Sequence, residues 1–360
     1  MRNNQQKSGA VHTGSTLLNL ACTESPEVGY LPGTYYYLVG DSSSGKTWFS
    51  KTCFAEACLN KAFSKHRLIF DDVENGSLMD VKHFFGKSVY DRTEPPKGTR
   101  AKPVFSETVE DFYYNITDAL KKGVPFIYVL DSQDSLDSAA ARKKFNEQKK
   151  ASESEKDSAG SYGDGKAKYH SENIRRVITG LRKTGSILII IGQTRDNLGF
   201  GFQKKTRSGG KSLRFYAHVE MWTSVEKTLK KRVRKKDRTI GNRVLVEVKK
   251  NRVSGKIGKD RAVRIPILVG HGIDDVGSCV DYLIEEEHWK KSKGQDGKTK
   301  YLASEFDVRG GRDQLVRYVE ENDLEKQLAQ VVADVWMEIE DACAPKRKMK
   351  YNKQHGTSQD

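Results

Sequence analysis

Few residues here could staple or anchor a chain. Five cysteines in 360 residues, Cys22, Cys53, Cys58, Cys279 and Cys343, show no C-x-x-C spacing, which excludes a disulfide framework and a zinc ribbon. The eight histidines have no metal-ligand spacing. No apolar run approaches the roughly 20 residues that cross a bilayer as a helix, so no membrane partner is expected. No secretory leader is recognisable, and a reducing, cytoplasmic setting is the expectation. Acid is the scarcer charge: 48 Asp and Glu face 63 Lys and Arg, a formal +15. The basic residues cluster instead of spreading evenly, so the chain should be drawn to polyanions.

What the chain does have is a complete G-x-x-x-x-G-K-[ST] pattern, read as Gly40, Asp41, Ser42, Ser43, Ser44, Gly45, Lys46 and Thr47. Tyr35 to Val39 reads as a buried strand feeding it, and Trp48 to Leu59 carries Phe49, Cys53, Phe54 and Cys58 at helical spacing. Strand, glycine loop and helix together form a cradle for phosphates, because loop N–H groups turn inward and the helix N-terminus is partly positive. Lys46 is expected to reach the outer phosphates of a nucleoside triphosphate and Thr47 to hold magnesium.

Further strands end in chemistry. His66 to Asp71 is followed by Asp72, Val73 and Glu74. Glu74 is the favoured group to polarise an attacking water, with a solvated acidic turn as the other reading. Pro125 to Asp131 is an apolar strand ending in an aspartate suited to a magnesium shell. Ser186 to Gly192 is the most apolar strand, buried on both faces, and ends at Gln193, whose amide could sense a terminal phosphate. Beyond it Arg195 to Gly210 is a glycine-rich basic loop. Phe200 and Phe202 interleave there with Lys204, Lys205, Arg207 and, just beyond, Lys211, a mixture suited to single-stranded nucleic acid.

Elsewhere the pattern is coarser. Thr13-Gly14-Ser15 opens a capped helix, and Asn173 to Leu181 reads as another. Residues 137–172 read as a polar, lysine-rich excursion, either a phosphate grip or an insert without structure. Leu213 to Leu229 and Arg243 to Arg252 read as an antiparallel ribbon joined by a charged tip, Lys230 to Asn242. Val244, Val246 and Val248 share a face that Lys250 and Arg252 continue. Those two cations either project toward another molecule or are solvated strand ends. Asp313 to Asp341 carries one long apolar stripe.

In this order the pieces resemble the RecA recombinase family, including phage enzymes of the UvsX type, from about Thr13 to Leu283. The matching stretches are Thr13-Gly14-Ser15 through Leu31-Pro32-Gly33, the phosphate loop, Asp72-Val73-Glu74, Leu130-Asp131-Ser132, Gln193-Thr194-Arg195, Gly209 to Ala217, Val248 to Arg252, and Leu268 to Ile273 with Gly270. The resemblance implies a RecA-like α/β P-loop ATPase core with a mostly parallel sheet and an antiparallel ribbon. It implies ATP and Mg2+ as cofactors, with catalytic roles for Lys46, Glu74, Gln193, Lys250 and Arg252, the phosphate loop and Gly270 on the nucleotide, and Thr47 and Asp131 on the metal. It also implies DNA contacts from Arg195, Leu198, Gly199, Phe200, Phe202, Lys204, Lys205, Arg207, Gly209, Gly210 and Lys211, with Leu198 as the wedge between base triplets and a first DNA loop within 137–172. Lys250 and Arg252 would reach the nucleotide of the next copy in a homo-oligomer on single-stranded DNA, with duplex DNA joining during exchange.

The sequence departs from the family in three places. The N-terminal docking helix and strand have no counterpart in the roughly dozen residues before Thr13, Val269 stands where bacterial members stack an aromatic on adenine, and the tail is basic instead of acidic. The expected division is a flexible 1–12, a core at 13–278, a small mainly helical region at 279–344 and a disordered tail at 345–360, in a bacterial or phage-infected cytoplasm. An ATP-gated annealing partner forming a ring or short oligomer, and a ring helicase on the same core, are the rival functions.

Overall fold

The computed structural model describes residues 9–74, 79–153, 165–196, 205–207, 210–294 and 297–347. It falls into two compact units, Met1–Asp281 and Tyr282–Asp360. The first begins with α1 (Thr16–Thr23), capped by the Ser15 hydroxyl accepting from Leu18 N–H. It continues through β1 (Tyr35–Gly40), α2 (Lys46–Leu59), β2 (Arg67–Asp72), α3 (Val81–Arg92), the short β3 (Thr93–Glu94), β4 (Lys97–Thr99) and β5 (Lys102–Val104), and α4 (Val109–Lys121). Next come β6 (Phe126–Asp131), α5 (Ala139–Glu153), α6 (Gly165–Thr184), β7 (Ile187–Asp196), β8 (Lys205–Arg207) and α7 (Gly210–Tyr216). The unit closes with β9 (Val219–Val233), β10 (Lys236–Asn251), β11 (Val263–Leu268), β12 (Gly272–Ile273) and most of α8 (Asp275–Glu285).

A ten-stranded sheet organises this unit in the order β12-β11-β10-β9-β1-β7-β6-β2-β3, with β8 paired to β7. From β9 to β3 the neighbours run parallel, whereas β10 pairs antiparallel with β9 and β11. All six residues of β1 are buried, as expected of a strand covered on both faces. On one face Tyr35, Tyr37 and Val39 join Phe112 and Ile116 of α4 and Ile174, Val177 and Leu181 of α6 in the core. Each such side chain contributes about 1.5–3 kcal/mol by leaving water. A reciprocal capping box between Thr108 and Asp111 starts α4. Among the described residues no helix is long and apolar enough to cross a membrane.

Register places the chemistry. Gly40 lies opposite Gln193, and Asp72 opposite Asp131. The C-terminal ends of four adjacent parallel strands therefore stand level, the position at which open α/β sheets bind ligands.

Several expected boundaries are corrected. Residues 139–153 and 165–172 are helical, not a structureless excursion, because Ala139 to Glu153 is built of strong helix formers with no glycine or proline. Its charge is laid out along a helix, with Lys143 and Glu147 one turn apart at 4.0 Å. Leu213 to Tyr216 belongs to α7, not to the ribbon. The ribbon runs on to a two-residue turn at Arg234 and Lys235, both with positive φ (50° and 63°), so the expected tip is itself mostly strand. β7 continues past Gly192 to Asp196 and pairs with β8 through Thr194↔Arg207. Val11 is fully buried and bridges to Tyr30, so ordered chain precedes Thr13.

The second unit holds β13 (Lys290–Lys293), β14 (Thr299–Ala303) and β15 (Val308–Gly310), which form a three-stranded sheet the apolar stripe did not disclose, followed by α9 (Arg312–Glu321) and α10 (Glu325–Cys343). One long helix over 313–341 is thus two. The break falls at Asn322-Asp323, where Asp323 takes φ 53°, a conformation that aspartate and asparagine tolerate better than most.

Candidate nucleotide-binding site

The loop after β1 is shaped by close approach as much as by flexibility. A Cβ on Gly40 would lie 2.0 Å from Thr223 Oγ1 of β9, and one on Gly45 2.3 Å from Ile267 Cδ1 of β11. Gly45 also has φ 83° as the N-cap of α2, where a side chain would be strained. Ser44 Oγ donates to Asp41 O at 2.7 Å and bonds Thr223 Oγ1 at 2.7 Å, tying the loop to the neighbouring strand. Lys46 Nζ donates to Gly40 O (3.0 Å) and Asp41 O (2.6 Å). Four carboxylates, Asp131, Glu74, Asp41 and Asp134, support its charge, though burial pulls its pKa down more strongly.

An acidic rim faces the loop. Thr47 Oγ1 donates to Asp131 Oδ2 at 2.7 Å. Burial pushes the Asp131 carboxyl up to about 6; the Thr47 bond opposes this, while Glu74 and Asp72 add to it. Glu74 Oε1 accepts from Ser132 Oγ (2.5 Å) and from Gln193 Nε2 (3.0 Å). The Gln193 backbone N–H is held by Asp134 Oδ2 at 2.7 Å. Thr194 Oγ1 donates to Asp41 Oδ1, so the end of β7 touches both the phosphate loop and Glu74.

These groups border a cavity of about 530 Å³. Ser42 to Thr47, Glu74, Asp131 and Gln193 make its polar side, and Trp48, Phe84, Ile267, Val269 and Gly270 its apolar side. The residues fit a magnesium nucleotide. The loop is a glycine-dependent cradle at a helix N-terminus, and Thr47 and Asp131 offer hard oxygen donors. Among the described residues no cluster of three or more His, Cys, Asp or Glu could hold a metal by itself. Such a set suits an ion that takes its remaining ligands from phosphate and water.

The structure thus brings Ser42 to Thr47, Glu74, Asp131, Gln193 and Gly270 to one cavity. It does not bring Lys250 and Arg252 there. Lys250 Nζ instead donates to Arg214 O and Phe215 O, both at 2.6 Å, at the end of α7, and both cations lie over the Phe215 ring at 5.8 and 5.6 Å. Gly210 begins α7 and Lys211 is exposed on it. Arg195, Lys205 and Arg207 are placed as strand residues only, and Leu198, Gly199, Phe200, Phe202, Lys204 and Gly209 lie outside the described residues.

Sequence reading missed Trp48 and Phe84, packed edge to face at 5.2 Å between α2 and α3, although Trp48 directly follows Thr47. It also missed Lys51. This buried lysine stands 3.2 Å over the Phe70 ring, and burial lowers its pKa to about 8 against the pull of Asp72 and Asp131. Its signal was its place one turn after Thr47.

A glycine cradle at the end of a central parallel strand, with a carboxylate and an amide on the adjoining strand ends, defines a P-loop nucleotide-binding protein. Comparison narrows the class. The RecA N-terminal domain family matches residues 129–274. The chain is 28% identical over 320 residues to Protein RecA of Nocardia farcinica (strain IFM 10152), covering 85% of this chain and 82% of that one. It is 25% identical over 291 residues to Protein RecA of Cytophaga hutchinsonii, covering 76% and 68%, and 26% identical over 319 residues to Protein RecA of Clostridioides difficile (strain 630), covering 87% and 78%. Over these stretches the chain is similar to the RecA family.

Proposed function

We propose that the chain is a DNA-dependent ATPase that binds single-stranded DNA and promotes homologous pairing and strand exchange in recombination and repair. The observation that carries this reading is the Gln193 to Glu74 hydrogen bond. It links the group suited to activating water with the strand that leads directly into the basic 195–210 segment.

ATP with magnesium, when bound, supplies the phosphoanhydride to be cleaved. Lys46 and the loop amides would hold the phosphates, and Thr47 Oγ1 with Asp131 Oδ2 would hold the metal. Glu74, aimed by Ser132 and Gln193, is positioned to take a proton from an attacking water at its carboxylate. Gln193 is pinned at its backbone by Asp134, so its side-chain amide is the part that can exchange Glu74 for another acceptor. Such an exchange would be felt at Thr194 and Arg195, where β7 pairs with β8. Lys250 and Arg252, which do not line this chain's own cavity, would act on the nucleotide of a neighbouring copy, placing ATP between subunits of a homo-oligomer.

The test is a paired assay on the full chain: ATP hydrolysis with and without single-stranded DNA, and strand exchange between a circular single strand and a homologous linear duplex. DNA-stimulated hydrolysis and joint-molecule formation are expected. Hydrolysis indifferent to DNA, with no joint molecules in ATP or a slowly hydrolysed analogue, would defeat the proposal.

A further inference from the structure

The helix after the phosphate loop carries a second lysine that the loop does not use. Lys51 stands one turn after Thr47 and therefore on the same side of α2. That side looks at β2. Phe54 of α2 meets the Phe70 ring edge to face at 6.3 Å, and Asp72, two residues on from Phe70, shares its face of the strand. Asp131 lies directly opposite Asp72 in the parallel β2–β6 pair and accepts from Thr47 Oγ1. Thr47, Lys51, Phe70, Asp72 and Asp131 thus occupy one layer between helix and sheet.

Within that layer the charges stand close together. Neighbouring strands run about 4.8 Å apart, so Asp72 and Asp131 are side by side. Burial, then Glu74 and Asp72, oppose the ionisation of Asp131. Lys51 is 3% exposed, with its Nζ 3.2 Å over the Phe70 ring. Its ammonium makes no hydrogen bond or ion pair among the described residues. Burial disfavours its charge, while Asp72 and, after it, Asp131 support it. A buried ammonium with three such donors is costly, and methionine would fill the same space without that cost. What methionine could not supply is the positive field on the two carboxylates.

We propose that Lys51 is a positioning residue that takes the part of a second cation. Its ammonium neutralises the Asp72–Asp131 pair from behind and confines the site to one divalent ion, brought in with the nucleotide. Adjacent carboxylates are a hard-oxygen seat for divalent ions, and paired ions bind about 3.5–4 Å apart where the negative charge suffices. With Lys51 beside it the pair carries one net negative charge instead of two, too little to hold a divalent ion until phosphate oxygens add theirs. The inference rests on the reading of Thr47 and Asp131 as the residues that hold the metal.

The test uses the full chain without nucleotide and Mn2+ alone as the probe, with free ion read by electron paramagnetic resonance near neutral pH. Lys51→Met keeps the packing on Phe70, so its melting temperature should hold or rise. It should bind Mn2+ at least about tenfold more tightly than wild type, because a unit charge removed at this range inside a protein outweighs that factor. Lys51→Met/Asp72→Asn should lose the gain, and Lys65→Met, which removes an exposed lysine elsewhere, should match wild type. With ADP added, wild type should take up one Mn2+ and Lys51→Met two. Equal Mn2+ affinity in wild type and Lys51→Met would overturn the proposal. So would a gain that survives Asp72→Asn or appears equally in Lys65→Met, or a single Mn2+ in both chains with ADP. A wild type that takes up no Mn2+ with ADP would instead defeat the assignment of the metal to Thr47 and Asp131, while the comparison without nucleotide still decides the role of Lys51.

Discussion

Gln193 Nε2 donates to Glu74 Oε1 at 3.0 Å, across 119 residues of sequence. The bond joins the end of β7 to the turn after β2, and it is a direct physical route between the proposed hydrolytic carboxylate and the segment that begins at Arg195. Gln193→Ala should cut DNA stimulation of ATP hydrolysis by about tenfold or more, approaching the scale of a misplaced catalytic base. Nucleotide affinity should fall much less. Steady-state ATPase over a DNA titration, beside equilibrium nucleotide binding, separates the two, and undiminished stimulation would break the link.

Gly40→Ala tests the packing of the phosphate loop. The new methyl would meet Thr223 Oγ1 at 2.0 Å and Thr223 O at 2.6 Å, so the loop must shift, at about 1–3 kcal/mol for an overpacked site. Denaturant unfolding should show the destabilisation and nucleotide titration a loss of affinity. Adding Thr223→Ala should restore only part of both, since the backbone carbonyl remains in the way. Complete rescue would mean the hydroxyl alone sets the constraint.

Lys51 supplies a pH dependence. Its ammonium, with a pKa near 8 in the fold against 10.5 when unperturbed, binds its proton less tightly folded than unfolded. Its neutral form therefore favours the fold, and stability should rise as pH climbs from about 8 to 10.5 and be lowest below 8. The shift corresponds to about 3 kcal/mol, an upper figure for what Lys51→Met should add at pH 7. Parallel denaturation of wild type and Lys51→Met across this range should converge at high pH. Curves that stay parallel would show that the lysine keeps its ordinary affinity for a proton.

The placement of Lys250 and Arg252 away from their own chain's cavity calls for a mixing experiment. Glu74→Ala and Lys250→Ala should each hydrolyse ATP poorly alone. Combined in varying ratio with single-stranded DNA, they should recover part of the wild-type rate, because some interfaces then hold one intact Glu74 and one intact Lys250. A flat response at every ratio would put both residues to work within a single subunit.

How far the sequence disclosed this site depends on how local each feature is. Gly40 to Thr47 is contiguous, and its flanking strand and helix announce themselves by apolar pattern; β1, α2 and β6 lie where that pattern placed them, within a residue or two. Asp131 was legible because an apolar run ended in it. The Thr223 hydroxyl against Gly40, the Trp48–Phe84 wall and the hold of Lys250 on α7 are products of sheet register and helix packing, and a linear reading carries no trace of them. Residues 139–153 were misread for a different reason. Their charge density resembles that of an unstructured segment, and only the run of helix-forming side chains, Ala139 to Ala141 first among them, distinguishes the two. The three-stranded sheet of the second unit hides in lysine-rich stretches whose alternation is too short to register.

One side chain from β10 secures the tail of a seven-residue helix. Lys250 Nζ satisfies the Arg214 and Phe215 carbonyls, and a helix of that length has few internal bonds with which to replace it. Two of the ammonium's three N–H groups are taken up by those carbonyls. If Lys250 is drawn across to a neighbour's nucleotide, the end of α7 comes untied, and α7 follows directly on the segment proposed to hold the single strand. Assembly of one copy on the next would then be reported, through a single amine changing hosts, to the part of the chain proposed to touch the DNA.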